Sequence, residues 1–197
     1  MTTTEPFAPE IRLEAIESLL LEKGLLDLDR VEQRLEMITT ELGPMNGARA
    51  VARAWVDPDY RSRLLEDGTA AIRELGIDGP QVEMLVVVEN TPEVHNVVVC
   101  TLCSCYPWAV LGLPPAWYKS PEYRARVVRE PRAVLADFGT EVAPDVEVRV
   151  WDSSAEVRYL VLPERPAGTG SRSESELAAL VNRDSMIGVR RAGQVDD

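Results

Sequence analysis

All the thiols of this chain lie in one short stretch, VVVCTLCSCYPW, which ends at Trp108. Cys100, Cys103 and Cys105 fall within six residues, and a single serine separates the last two. The rest of the chain contains no cysteine, which argues against chance clustering. Thiols this close together are typical of a structural metal site, a redox site or a catalytic metal site.

Structural zinc is the first alternative for the cluster. Such a site usually takes four ligands in a tetrahedron, from two separate places in the chain. Here there is one cluster, and the Cys-Ser-Cys spacing holds two sulfurs too close for relaxed tetrahedral chelation. His95, the only histidine, could complete the set, but it lies within a strand pattern, where a lone histidine is more often an ordinary hydrogen-bonded residue. An iron–sulfur cluster would normally need a fourth protein ligand. The spacing therefore favours a less usual site, and structural zinc stays open.

The main chain of Cys-Ser-Cys offers further donors. The amide nitrogens of Ser104 and Cys105 lie between the sulfurs of Cys103 and Cys105, so small chelate rings could put all four atoms in one plane. Loss of an amide proton requires a strongly polarising ion, and trivalent cobalt or iron fits, because thiolates offset its charge. Cys100 would add an axial donor, and one position would face solvent. An open position of this kind permits Lewis-acid catalysis.

Periodicity in the sequence predicts the elements that must position this loop. Two helical patterns precede Gly43, and short helices follow between Gly47 and Leu75. The β-branched runs EMLVVVEN and VHNVVV are typical of strands, and the second leads directly into Cys100. The apolar stripe of the second helix indicates packing either on its own domain or on a partner subunit.

The second half of the chain adds two helices, two strands and a closing helix. We predict helices over 122–129 and 131–138, then strands in DVEVRVWD and EVRYLVLP. A Gly/Ser/Pro-rich loop precedes a last helix, which Ser173 and Glu176 open as a capping box. The predicted fold class is α+β, with an N-terminal helical arm and a layered α-β-β-α metal-binding domain. The predicted domains are a helical region over 1–78, partner-wrapping in its first part, and the catalytic domain over 79–197.

Composition and charge exclude several function classes. The chain has 197 residues and a formal net charge of −12, which argues against nucleic-acid binding. No apolar run is long enough for a membrane span, and the N-terminus lacks the pattern of a secretory signal. An odd cysteine count without such a signal argues against a disulfide framework, so the expected location is the cytoplasm.

The motif and its flanks resemble a known family. VCTLCSC resembles the metal-binding motif of the nitrile hydratase alpha subunit and of the related gamma subunit of thiocyanate hydrolase. LGLPPAWYKSPEYRARVVREPRAVL, VEVRVWDSSAEVRYLVLPERPAGT and RDSMIGV are similar to the same family, so the resemblance covers residues 79–190. The first 78 residues are only generally similar.

The resemblance implies a ligand set and a metal. The family holds its ion by the three cysteine sulfurs and by the main-chain nitrogens at the positions of Ser104 and Cys105. The cysteine at Cys103 is oxidised to a sulfinic acid and that at Cys105 to a sulfenic acid, while Cys100 stays a thiolate. Thr101 and Tyr106 match the cobalt branch, so the expected cofactor is Co(III), with Fe(III) as the second choice.

The resemblance also implies roles for residues that would otherwise be ordinary. Trp108 matches a residue lining the substrate pocket and Gln81 a glutamine near the metal; alone, they would be a buried aromatic and a strand-edge residue. Polar residues near the strand ends match a network behind the site: Asp152, Glu156 and Arg158. Arginines after the proline-rich connection are expected in structural or subunit-interface ion pairs: Arg124, Arg126 and Arg129.

The expected function is hydration of a nitrile to the amide, with Cys105, Cys103, Gln81 and Trp108 as catalytic candidates. In the family, arginines of a beta subunit donate to the oxidised sulfurs, and no arginine of this chain lies near the motif in sequence. The resemblance therefore implies an incomplete catalyst that needs a beta partner, single or split into two chains. It also implies an activator protein for metal insertion. The rivals are a thiocyanate hydrolase subunit and a noncatalytic zinc or metal-carrier protein.

Overall fold

The computed structural model describes residues 8–40, 42–79 and 82–194. The chain divides into two compact units, the first ending at Ile38 and the second beginning at Thr39. Helices α1 (Pro9–Glu22) and α2 (Leu28–Thr40) belong mainly to the first. Gly24, at φ 64°, stands in the turn between them. Helix α1 buries none of its residues, so its apolar side chains remain exposed.

Three helices open the second unit: α3 (Pro44–Val56), α4 (Pro58–Glu66) and α5 (Gly68–Glu74). The side chain of Asp57 accepts hydrogen bonds from two main-chain N–H groups of α4, and that of Asp67 accepts one from α5. Alanines line the buried face of α3, which lets other helices approach closely. Helices α4 and α5 pack against the first strand.

The described strands form two parallel pairs. Strand β1 (Leu85–Glu89) pairs with β4 (Arg158–Leu162), and β2 (Val94–Val99) pairs with β3 (Glu147–Asp152). Strands β1, β2 and β4 are almost continuously buried, as parallel strands usually are. Because β2 and β3 run in the same direction, their carboxyl ends meet: Val99 lies opposite Asp152.

Two buried asparagines join the strand pairs. The side chain of Asn90, just after β1, accepts a hydrogen bond from the main-chain N–H of Asn96 in β2 at 2.7 Å. The amide group of Asn96 donates to the carbonyl of Glu89 at 2.7 Å, and its oxygen accepts from the indole of Trp151 at 2.8 Å. Every strand pair thus contributes to one polar junction inside the core.

Of the remaining described helices, some pack on the strands and others on α3. They are α6 (Trp108–Leu111), a 3₁₀ turn (Ala116–Lys119), α7 (Pro121–Val127), α8 (Pro131–Asp137), α9 (Glu174–Ala178) and α10 (Arg183–Ile187). The predicted capping box is confirmed, since Ser173 and Glu176 satisfy each other's main-chain N–H groups. Helix α10 packs on β2 and β4 and ends at Gly188, whose φ is 90°.

The predicted mixture of helices and strands is confirmed, whereas the layer order and the division into 1–78 and 79–197 stay predictions. All four strands lie where β-branched runs indicated them. Helices α6 and α10 and the 3₁₀ turn were not predicted, because they are too short for a helical period to show. Across the three described ranges, no helix is long and apolar enough to cross a bilayer.

Candidate metal centre

The cysteine loop leaves the end of β2 and is fastened to the end of β3. Cys100 directly follows the strand, and Thr101 donates two hydrogen bonds to the Asp152 carboxylate, from its main-chain N–H at 2.9 Å and its hydroxyl at 2.6 Å. The N–H of Ser153 donates to the carbonyl of Val99 at 2.7 Å. Parallel pairing of the two strands therefore fixes where the loop begins.

The loop brings the three sulfurs together. The Sγ atoms of Cys100 and Cys103 are 3.4 Å apart, and those of Cys103 and Cys105 are 3.2 Å apart. All three lie within 4.8 Å of one another. The main-chain N–H of Cys103 also donates to the Cys100 sulfur at 3.3 Å. All three thiols are free, and only Cys103 is exposed.

The neighbouring thiols differ in acidity. Hydrogen bonds from the Cys105 and Cys100 thiols, in that order, lower the pKa of Cys103 to about 7. Burial, followed by the hydrogen bond with Cys103, raises the pKa of Cys105 to about 12. A thiolate therefore forms first on the exposed sulfur, and thiolates are the form that binds metals and reacts with oxidants.

Buried tyrosines hold the main chain under the loop. The hydroxyl of Tyr118 donates to the carbonyl of Cys105 at 3.0 Å, and that of Tyr123 donates to the carbonyl of Val98 at 2.7 Å. Both rings belong to an edge-to-face aromatic cluster that includes Trp117. Burial raises the pKa of Tyr118 and of Tyr123, so both stay neutral donors.

An arginine of the chain also reaches the loop. Arg124, on α7, donates from Nη1 to the carbonyl oxygen of Cys103 at 3.1 Å. No arginine is close to the motif in sequence, but Arg124 is close to it in space, because α7 packs beside the loop although the two residues are 21 positions apart. Arg126 forms the expected ion pairs, with Glu130 at 2.7 Å and Asp137 at 2.8 Å.

Comparison with known proteins shows to which family the chain belongs. The sequence matches the family model for the nitrile hydratase alpha chain over residues 8–190. The chain belongs to the nitrile hydratase alpha-chain family. The match begins at residue 8, so the likeness extends through the helical region, where the sequence indicated only a general resemblance.

Individual relatives agree with the family assignment. The chain is 60% identical, over 90% of its length and 86% of the relative's, to the low-molecular weight cobalt-containing nitrile hydratase subunit alpha of Rhodococcus rhodochrous. It is 43% identical to the thiocyanate hydrolase subunit gamma of Thiobacillus thioparus, covering 91% of this chain and 78% of that one. A double mutant of the Fe-type nitrile hydratase from Comamonas testosteroni Ni1 superposes with a TM-score of 0.90 at 43% identity, covering 96% and 92% of the two chains.

Other residues that the nitrile hydratase resemblance singled out have different surroundings. Trp108 is the first residue of α6 and is half-buried rather than enclosed. Glu156 bonds to the hydroxyl of Ser154 at 2.9 Å, and Arg158 donates to the carbonyl of Ala155. Asp152, also of the predicted network, accepts two hydrogen bonds from Thr101 of the motif loop.

The two remaining candidates are Gln81 and His95. Gln81 lies outside the described residues. His95 is buried, and its Nε2 lies 2.7 Å from the carbonyl oxygen of Gly188, so it is an ordinary hydrogen-bonded core residue and not a fourth ligand in the sulfur cluster. Tyr118 and Arg124 were missed as site residues, because their contacts to the loop depend on helix packing that no local motif encodes.

Proposed function

We propose that this chain works as the alpha subunit of a cobalt nitrile hydratase and hydrates a nitrile to the amide. The observation that carries the proposal is the convergence of the Cys100, Cys103 and Cys105 sulfurs on one loop within 4.8 Å. Their sulfurs, with the main-chain nitrogens of Ser104 and Cys105, would hold a Co(III) ion. When bound, that ion would supply Lewis-acid polarisation of the nitrile.

The sulfur spacing supports right-angled rather than tetrahedral binding. Two thiolates at right angles on an ion about 2.3 Å from each sulfur stand about 3.3 Å apart, whereas tetrahedral binding separates them by about 3.8 Å. The separations in this chain are 3.4 Å for Cys100–Cys103 and 3.2 Å for Cys103–Cys105. These two separations are closer to the right-angled value, which supports an ion that accepts ligands at right angles, as trivalent cobalt does.

Cobalt is favoured over iron by two observations. The relative that is 60% identical is named as cobalt-containing, whereas the Fe-type structure is 43% identical. Thr101 also matches the cobalt branch of the family, and its hydroxyl donates to Asp152 at 2.6 Å.

Unequal exposure of the cysteines supports the proposed oxidation states. Cys103 is exposed, and hydrogen bonds lower its pKa, so dioxygen can convert its thiolate to the sulfinate. Cys105 is 8% exposed, which fits the addition of a single oxygen as a sulfenate, with a peroxide as the oxidant whose second oxygen leaves as water. Cys100 is fully buried, so oxidants have the least access to its sulfur, which supports the unoxidised state that the resemblance implies. The nucleophile is either water or the sulfenate oxygen of Cys105.

The chain's surface supports a need for a beta partner, single or split into two chains. Leu102, between two of the ligands, is 88% exposed. Helix α1 also exposes its apolar side chains, as a partner-wrapping arm would: Ile11, Leu13, Ile16 and Leu19. The partner would complete a substrate pocket to which Trp108 and Gln81 contribute, and an activator protein would insert the metal.

The test is co-expression with the neighbouring beta chain, followed by metal analysis, mass spectrometry of the motif peptide and assays on nitriles and thiocyanate. We expect cobalt, added oxygen on the motif and amide formation. Cys105→Ser removes a ligand and should abolish activity, whereas Ser104→Ala keeps the main-chain nitrogen and should retain cobalt. Thiocyanate hydrolysis without nitrile hydration would support the related hydrolase. Zinc on unmodified cysteines would support a noncatalytic protein.

A further inference from the structure

The contact between Arg124 and the cysteine loop involves a ligating peptide group. The Cys103 carbonyl oxygen, which accepts from Arg124 Nη1 at 3.1 Å, belongs to the same peptide group as the Ser104 amide nitrogen. Peptide resonance links these two atoms, so charge placed on the nitrogen is shared with the oxygen. A donor at the oxygen therefore acts on the nitrogen that the proposed function places on the metal.

The guanidinium of Arg124 is only partly satisfied by the described residues. Its Nε is buried and has no hydrogen-bond partner among the described residues. Within the same ranges Arg124 has no carboxylate partner, whereas Arg126, two residues further along α7, pairs with two exposed carboxylates. Partial burial of a cation without a counter-charge is unfavourable unless another group compensates for it. The guanidinium contacts the cysteine loop, which would become anionic when its thiols and amide nitrogens ligate a metal.

The negative charge of the proposed ligands would compensate for the partly buried guanidinium. Thiolates and deprotonated amide nitrogens together carry more negative charge than a trivalent ion neutralises. Charge-assisted hydrogen bonds to such groups are about twice as strong as neutral ones. A guanidinium is well suited, because its planar fork stays charged at every physiological pH.

We propose that Arg124 is a positioning residue for the metal: it fixes the Cys103–Ser104 peptide plane and balances the charge on that peptide when its nitrogen ligates the ion. This rests on the ligand set of the proposed function. Arg124 then supplies from within the chain part of the positive charge that the resemblance attributes to the beta partner alone.

The experiment compares Arg124→Gln and Arg124→Lys in the assembled enzyme, with Arg126→Gln as the matched control on the same helix. The glutamine keeps an N–H donor for the carbonyl but removes the charge, and the lysine keeps the charge. Three properties are measured: cobalt per chain, the rate of cobalt loss to a chelator, and the energy of the sulfur-to-cobalt charge-transfer band.

We expect Arg124→Gln to lose cobalt about tenfold faster than the wild type. Its charge-transfer band should shift, because a peptide nitrogen without the guanidinium would donate more strongly to the ion and change the energy of the cobalt orbitals that accept charge from sulfur. Arg124→Lys should recover part of both effects, and Arg126→Gln should match the wild type. If Arg124→Gln fails to assemble, the lysine variant alone decides, since a band shift and faster loss smaller than tenfold are still expected.

The proposal is overturned if Arg124→Gln, or Arg124→Lys where only that variant assembles, holds cobalt with the wild-type loss rate and band. In that case the proposed function stands, because the wild type still contains cobalt. Zinc in the wild-type enzyme would overturn both the proposed function and this inference. The two failures are therefore distinguishable in the same set of samples.

Discussion

The carboxylate of Asp152 accepts two hydrogen bonds from Thr101, one from the main-chain N–H at 2.9 Å and one from the hydroxyl at 2.6 Å. Asp152 is the last residue of β3, and Thr101 is the second residue after β2, so this contact joins the ends of two parallel strands. The first turn of the cysteine loop is thereby held from a distant part of the chain.

Removal of this carboxylate should loosen the loop. We expect Asp152→Ala to destabilise the fold by about 0.5–1.5 kcal/mol, because two donors of Thr101 lose a charged acceptor but remain accessible to water. Cobalt per chain in the assembled enzyme should fall with it. Glu147→Ala, at the opposite end of the same strand, is the control, since Glu147 is exposed and pairs only with Arg149 among the described residues. Equal cobalt content in the two variants would show that the Asp152 contact does not hold the loop.

Gly188 should tolerate no side chain. Its φ is 90°, and a Cβ there would lie 2.0 Å from the main-chain oxygen of Asn96. We expect Gly188→Ala to cost about 3 kcal/mol or more in the free energy of unfolding, because strain and a main-chain clash add. Gly139→Ala is the matched control: φ is 77°, but nothing lies within 4 Å, so only about 1–2 kcal/mol of left-handed strain is expected. Chemical denaturation measures both, and similar losses would contradict the clash.

His95 should make stability depend on pH. Burial lowers its pKa, and nearby Arg191 adds to this, while the hydrogen bond to the Gly188 carbonyl opposes it. Since the unfolded pKa is about 6.5, the unfolded chain binds the proton first as pH falls. The contribution of the neutral imidazole is thus present above about pH 6.5 and is lost as pH falls through the folded pKa.

The measurement is the free energy of unfolding between about pH 7.5 and about pH 5.5 for the wild type and His95→Gln. The glutamine does not titrate, so its stability should fall less over this interval. Carboxylates titrate in both proteins, so their contribution cancels when the free energies of unfolding of the two proteins are subtracted. Identical slopes would mean that His95 is not held neutral by the fold.

Leu102 should contribute to partner binding. It is 88% exposed beside the ligands, and burying a leucine side chain stabilises a complex by about 1.5–3 kcal/mol. We expect Leu102→Glu to weaken binding of the beta chain about tenfold or more, measured by titration of one chain with the other. Val56→Glu, an exposed apolar position at the end of α3, serves as the control. Unchanged affinity for Leu102→Glu would place the partner elsewhere.

The sequence predicted the elements better than their pairing. β-Branched runs marked all four strands, and the Ser173–Glu176 capping box marked the start of α9. Nothing local indicated that β2 would pair with β3 in parallel, because that choice depends on packing between segments separated by about fifty residues. Short helices such as α6 and α10 carry too few residues for an apolar period to be visible.

For the site as well, the sequence predicted the features that one local segment encodes and missed those that depend on packing between segments. Cysteine spacing was sufficient to predict the sulfur cluster, since the ligands belong to one loop. The supporting contacts of Tyr118 and Arg124 arise only when the 3₁₀ turn and α7 dock beside that loop. Distance along the chain is a poor measure of proximity here, as Arg124 shows.

The parallel pairing of β2 with β3 also sets an order of events during protein synthesis. Asp152 follows Thr101 by 51 residues. At about 5–20 residues per second, the ribosome needs about 3–10 s to add the segment that anchors the loop. The cysteines are consequently synthesised before the strand that anchors their loop, so we expect the sulfur cluster to take its final arrangement only after β3 has been added.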